Sequence, residues 1–449
     1  MNIQLSDHFS YGKLLKFTFP SIAMMIFTSV YSVVDGFFVS NFAGKTQFTA
    51  VNLIMPVLMI LGTVGFMFGT GGTALVALTY GKGDRKKANE YFSLFVYVTV
   101  TTGLILAILG FVFIRPVSVL LGADGDLLKY CVSYGRILLA ALPFFALQVM
   151  FQSFFVAAEK PHLGFEVTVL SGMINMGLDA FLVILLPQEY KLAGAAIATA
   201  VAQFVGGILP LVYFLRKNSS VLRLGKTTYS GRVILKASVN GLSEFMSNIS
   251  MSLVAILFNF QLLKYAGKNG VAAYGVMMYV SMIFSAAFVG YSIGAAPVIS
   301  FHYGAKNMDE LKSLLRKSLI LTGVFGIGMF SSSELFAGVL SKLFVGYDKE
   351  LMEMTVSGLR IFSISFAFMG FGIFISGFFT ALNDGLTSAL ISFFRMLVFE
   401  SGAVMILPLI WGMNGIWTSV VVAELMSLIM GVFFLIRRSR RGWTSNYFR

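Results

Sequence analysis

Residues 132–144 read VSYGRILLAALPF, and residues 356–368 read VSGLRIFSISFAF. The match aligns Arg136 with Arg360, and others follow in the same order. SFFVAAEKP (153–161) answers GFFTALNDG (377–385), TYGKGD (79–84) answers HYGAKN (302–307), and GAAIATAVAQ (194–203) answers GIWTSVVVAE (415–424). Each pair is weak by itself. Their common order and near-constant offset read as an internal duplication. The polar stretch RKNSSVLRLGKTTYSGR (216–232) is the linker between a first half, 1–215, and a second half, 233–449.

Each half is too apolar for a soluble core. The 449 residues are 57% hydrophobic and 12% charged, with a mean hydropathy of +0.85; soluble domains carry about 25% charge. Apolar runs long enough to cross a bilayer recur at roughly 13–40, 51–79, 92–114, 128–157, 162–186, 192–215, 233–263, 271–301, 314–333, 351–381, 386–410 and 413–436. Lipid offers the backbone no hydrogen-bond partners, so these twelve runs are predicted to be helices. The expected fold is an all-α membrane protein. Six spans per half return the chain to its starting side, so the two repeats should be parallel, related by a pseudo-two-fold along the membrane normal. The first run is too long for a cleaved signal and carries Asp35. Cys131 is the single cysteine, and no metal cluster, nucleotide loop or nucleophile elbow is present. No cofactor and no enzymatic activity are therefore expected.

The net charge of +13 follows the topology. Basic residues gather at Lys13 and Lys16, in YGKGDRKKANEY (80–91), in 216–232, in YGAKNMDELKSLLRK (303–317) and in RRSRRGW (437–443). Those are every second connection. The alternate ones hold only Lys45, Arg115 and Lys129, Lys191, Lys264 and Lys268, and Lys342 and Lys349. The positive-inside rule places both termini and the linker in the cytoplasm. Anionic lipid headgroups, not nucleic acid, are the expected partners of this charge.

The pattern resembles the multidrug and toxic compound extrusion family over nearly the whole chain. The matching residues are Pro20 followed by YSVVDGFFVSNFAG (31–44), then GKGDRKKA (81–88), FFVAAEKP (154–161) and FFTALNDG (378–385). The resemblance implies a twelve-helix antiporter of a bacterial-type cytoplasmic membrane. It would expel lipophilic, cationic small molecules in exchange for H⁺ or Na⁺, and a monomer is the expected assembly.

Polar residues in the first half come in pairs four apart, which puts each pair on one helix face. These are Tyr31 with Asp35, Gln148 with Gln152, Asn175 with Asp179, and Thr199 with Gln203. Together they predict a hydrated pocket. At the repeat offset, Asp35, Gln148, Asn175 and Asp179 become Phe258, Gly372, Phe399 and Ala403, so the pocket belongs to the first half alone. The resemblance adds that one branch of the family keeps an essential carboxylate in the first span, with partners on the fifth and sixth. Asp35, Asn175, Asp179 and Thr199 occupy those positions. Another branch relies on an acid in the tenth span, where AFMGFGIFISGFF (367–379) offers none.

A carboxyl in an apolar run can carry a proton, because burial disfavours its charged form. Neutralising Asp35 would let the first helix repack, with Pro20 as the hinge. The same oxygens, with Asn175 and Thr199, could hold Na⁺; H⁺ is the favoured reading. Glu244, a third of the way into the seventh span, could attract cationic substrate or could snorkel. Arg395 and Glu400 are five apart, too far round an α-helix to pair, and Glu424 is a candidate partner for Arg395. Two alternatives stand beside the antiporter. One is a flippase for a lipid-linked precursor, supported only by Arg136, Arg360 and Arg395. The other is an intramembrane aspartyl enzyme using Asp35 and Asp179.

Overall fold

The computed structural model describes residues 3–346 and 348–442. The side chains of Lys45 and Lys268, and Trp443 as a whole, lie outside what it describes. Among the described residues, eleven helices are long and apolar enough to cross a membrane, and one bent pair makes a twelfth span. In the first half they are α1 (Tyr11–Phe38), α2 (Thr46–Gly81), α3 (Arg85–Leu120), α4 (Gly125–Ala157), α5 (Pro161–Leu185) and α6 (Lys191–Leu215). The second half holds α7 (Leu242–Gly267), α8 (Asn269–Gly304), α9 (Met308–Lys342), α10 (Lys349–Ser363 with Phe366–Ala381, bent by 47°), α11 (Gly385–Trp411) and α12 (Met413–Arg440).

One boundary differs from the sequence reading. The seventh span begins at Leu242, not at 233, because Gly231–Asn240 is a separate short helix. Its apolar Val233 and Ile234 pack on the core of the first half and its Ala237 is buried there, while Arg232 and Lys236 keep its other side polar. Gly241 then redirects the chain. The linker before it is fixed rather than loose. Arg223 N–H donates to Asn89 Oδ1 (2.6 Å) and Gly225 N–H to Ser93 Oγ (3.0 Å), both on α3, and Leu222 and Leu224 are buried.

The duplication is written into the backbone. Where α2, α4, α8 and α10 end, the chain turns through positive φ at Gly83 (88°), Glu159 (60°), Lys306 (57°) and Asn383 (59°). These are two repeat-related pairs in the left-handed cap that commonly ends helices. Asp84, Asn307 and Asp384 then cap the following helices through their side-chain oxygens. The turns share one face of the molecule with the linker, here termed the basic face.

Toward that face the halves meet backbone to backbone. A Cβ added at Gly81 would overlap the Phe301 carbonyl, and one at Gly304 the Leu78 carbonyl. Gly81 corresponds to Gly304 and Leu78 to Phe301, so each helix makes the other's contact, as a two-fold axis between α2 and α8 requires. The next ring of contacts obeys the same operator. A Cβ at Gly294 would lie 3.0 Å from Thr18 Cα, and one at its counterpart Gly71 would meet Gly241 N at 2.6 Å, Gly241 being the counterpart of Thr18.

Residues 3–10 form a strap beneath this seam. Leu5 N–H donates to Glu159 Oε1 of the first half (2.8 Å), and Phe9 N–H donates to Glu310 Oε1 of the second (2.9 Å). His8 Nδ1 meets Glu310 Oε2 at 2.6 Å, and Leu5 and Phe9 are fully buried among residues of both halves. Burial pushes the Glu159 carboxyl up from its ordinary pKa, and the Leu5 N–H and Arg85 act against that. The Lys13 hydrogen bond holds Asp7 below the usual carboxylate range. Glu310→Ala should free the strap. It orphans the buried Phe9 N–H, a loss of about 1–3 kcal/mol, so tryptic cleavage after Lys13 should quicken severalfold; an unchanged rate would show that Glu310 does not hold the segment.

Candidate functional site

Helix α5 is the spine of the polar region. Thr168, Ser171, Asn175 and Asp179 recur along one face of it and are all buried, and each reaches a different neighbour. Gln152 Nε2 donates to Thr168 Oγ1 (3.5 Å), Gln148 Nε2 to Ser171 Oγ (3.1 Å), and Asn175 Nδ2 to Thr199 Oγ1 (3.3 Å). Ser171 Oγ donates on to the Ala202 carbonyl (2.7 Å), tying α4, α5 and α6 together. These lower rungs are ordinary interhelical bridges. Gln148 and Gln152 belong to them.

The top rung is different. The Asp35 and Asp179 carboxyls, on α1 and α5, approach within hydrogen-bonding reach of each other. Neither Asp179 oxygen nor Asp35 Oδ1 has another partner among the described residues, and Asn175 Oδ1 is also unpaired and buried. Asp179 is fully buried. Two carboxyls can bond to each other only through a proton, and two bare charges at that separation repel. Tyr31 lies within electrostatic reach of Asp35, against Gly172 and Phe27. Tyr134, buried on α4, lies within electrostatic reach of both carboxyls. Tyr134, Thr168 and Ser171 escaped the sequence reading. The signal was available, because Tyr134 lies on the stripe that carries Gln148 and the other two extend the Asn175 stripe by whole turns.

The remaining residues of interest sit elsewhere. Gln203 lines a cavity of about 40 Å³ with Met55, Met59 and Phe145, its Oε1 unpaired; that is room for a water or two. Pro20 is buried in α1 about four turns below Asp35, beside the α1–α8 crossing, in a helix that runs unbroken past it. The irregular part of the first span is instead Val39–Ala43, a wider π turn, with the Gln188 amide donating to the Ala43 carbonyl. Glu244 is half-buried in the first turn of α7, shallower than expected because that span starts later.

In the second half, Arg395 pairs with Glu424. Its Nε lies 3.1 and 3.0 Å from the two carboxylate oxygens and its Nη2 lies 2.7 Å from Oε1. The sequence reading set Arg395 and Glu400 apart on α-helical geometry; α11 instead winds as a π-helix over Phe394–Glu400. A π turn closes bonds between residues five apart, which brings both side chains toward one face. The other intramembrane arginines are also engaged: Arg136 lies over the Phe111 ring (4.7 Å to its centre), and Arg360 is 3.9 Å from Glu334.

Comparison with known proteins agrees with this geometry. The MatE family model matches residues 20–181 and again 245–401, once in each half. The multidrug export protein MepA of Staphylococcus haemolyticus is 22% identical over 424 residues, covering 94% of this chain and 92% of its own. MepA of Staphylococcus aureus is 22% identical over 432 residues, covering 94% and 93%. Among solved structures, a MATE in complex with MaL6 superposes with a TM-score of 0.90 at 21% identity, over 96% of this chain and 97% of that one. A MOP superfamily transporter from Pyrococcus furiosus, described as having a binding pocket of reverse polarity, gives 0.89 at 21% identity over 98% of both. With its family model matched in both halves, the chain belongs to the MatE family, a family of membrane transporters rather than enzymes.

Proposed function

We propose that this protein is a proton-coupled antiporter that exports lipophilic organic cations across a bacterial cytoplasmic membrane, with its basic face inside. The names of the MepA relatives support multidrug export. The observation that carries the coupling is the Asp35–Asp179 contact, which no other donor satisfies among the described residues. One proton held between the two carboxyls keeps α1 against α5. Its departure leaves two like charges side by side, with Asp179 fully buried, and they must part or take up a cation. Parting shifts α1, and α1 packs on α8 of the other half, so proton loss works on the seam between lobes 1–215 and 233–449. Linkage makes the antagonism between proton and cargo mutual.

Sodium is the second reading. Asp35 Oδ1, both Asp179 oxygens and Asn175 Oδ1 form an unpaired oxygen set of the kind hard cations use. A flippase is less well supported, because Arg136, Arg360 and Arg395 each have a partner and leave no free cationic cleft among them for a pyrophosphate. Proteoliposomes loaded with tetraphenylphosphonium test the reading. An imposed pH gradient should drive its movement at constant Na⁺, and a Na⁺ gradient at constant pH should not. Movement under Na⁺ alone replaces the proton with sodium; movement under neither removes antiport.

A further inference from the structure

We infer that the second half holds a separate site for the charge of the cargo: Glu400, beside the Arg395–Glu424 pair and the Tyr274–Phe258 stack, receives the cationic centre of the exported molecule. This rests on the proposed export of organic cations. The charge count comes first. Arg395 is taken by Glu424 in three contacts, and side-chain exposures of 17% and 5% place the pair away from water. Glu400 stands within electrostatic reach of both but has no ion pair or hydrogen bond among the described residues. Two carboxyls face one guanidinium, so the negative charge that Glu400 can carry has no resident partner.

Packing does not require that charge. By the repeat offsets, Arg395 corresponds to Ser171, Glu424 to Gln203 and Gly372 to Gln148. The first half joins the counterpart helices, α5 and α6, through the neutral Ser171 Oγ donation to the Ala202 carbonyl (2.7 Å), with Gln148 of α4 donating to the same Ser171. The second half deletes the glutamine side chain, and the arginine lies in the space. A Cβ at Gly372 would sit 3.2 Å from Arg395 Cδ, 3.3 Å from its Nε and 3.0 Å from Ser427 Oγ. Ser427 Oγ is fully buried and unpaired, so the recess holds more polar capacity than the ion pair uses. A buried ion pair is commonly no more stabilising than neutral packing of the same volume. A duplicated fold that already has the neutral solution, and departs from it with a π-helix, points to ligand recognition.

The neighbours specify the ligand. Tyr274 lies within electrostatic reach of Glu400 and stacks on Phe258, ring centres 4.7 Å apart at 5°. Phe258 is the counterpart of Asp35, so an aromatic face stands where the first half has its acid. A carboxyl beside a buried aromatic pair suits a large, weakly hydrated organic cation, its charge at Glu400 and its apolar body against the wall that the Tyr274–Phe258 stack supports. Proton and cargo then occupy different halves, and their antagonism passes through the seam instead of arising from competition for one carboxylate.

The test is equilibrium binding of radiolabelled tetraphenylphosphonium to the purified full chain at fixed pH, with neutral triphenylphosphine oxide as the uncharged control. Glu400→Gln should weaken the cation by about tenfold or more and leave the neutral compound unchanged. Glu400→Asp should hold the cation within about threefold. Equal loss of both compounds means Glu400 only packs, and unchanged cation affinity in Glu400→Gln, or no cation binding to the unmodified chain, overturns the site. If binding depends on Glu400 but neither gradient moves the cation, the antiport reading fails while the site stands.

Discussion

Asp35→Asn is expected to abolish proton-driven export while leaving the protein folded. The amide introduced by that substitution can donate one hydrogen bond to Asp179, which keeps the top rung closed without a transferable proton. Removing a group that carries a proton in a rate-determining step costs about 10²–10⁴ in rate at enzyme active sites, and a loss in that range is expected for tetraphenylphosphonium movement under a pH gradient. Thermal unfolding in detergent should occur close to the wild-type midpoint, because a singly charged, hydrogen-bonded carboxyl pair has become an amide–carboxylate pair of the same charge. Asp179→Asn should behave in the same way, since the pair and not either member holds the proton. Full-rate export by either variant would remove the pair from the mechanism.

The second large effect lies in the seam. Gly304→Leu should yield little folded protein, because its side chain must occupy the space of the Leu78 backbone. No rotamer relieves that overlap; α2 and α8 would have to separate. Overpacking of an ordinary core costs about 1–3 kcal/mol, and a clash with main chain at a close helix crossing belongs at or beyond the upper end. Gly304→Ala should already lower the midpoint of thermal aggregation by several degrees, and Gly81→Ala should match it. Gly328, whose added Cβ would meet nothing within 4 Å, is the control. If all three alanine variants melt together, the crossing tolerates separation and the seam is not tight.

How much of this was legible depends on what each feature is made of. The spans were, since lipid demands long apolar runs, and the duplication was, since matched segments keep their order. Asp35 and its partners could be read because α-helical spacing projects them onto shared faces. That same assumption hid the Arg395–Glu400 relationship, because a local π-helix changes the angle between residues five apart. It also gave the seventh span a false start: Val233 and Ile234 look like lipid-facing residues but belong to a short helix lying on the first half. The glycine seam was recognised as repeated letters, TYG and HYG, without its meaning, because nothing in a single chain says which glycines meet another backbone. The strap was missed altogether. Two apolar anchors, Leu5 and Phe9, are too few to register as a pattern.

That strap fixes a chronology for synthesis. Leu5 leaves the ribosome 154 residues before Glu159, and Phe9 precedes Glu310 by 301. At about 5–20 residues per second, its second anchor point arrives about 15–60 seconds after the segment itself. Through that interval two bulky apolar side chains have no permanent resting place, so the strap settles only after part of the second half has been made. Its docking reports that the two halves have come together, and a label on this segment would date that moment.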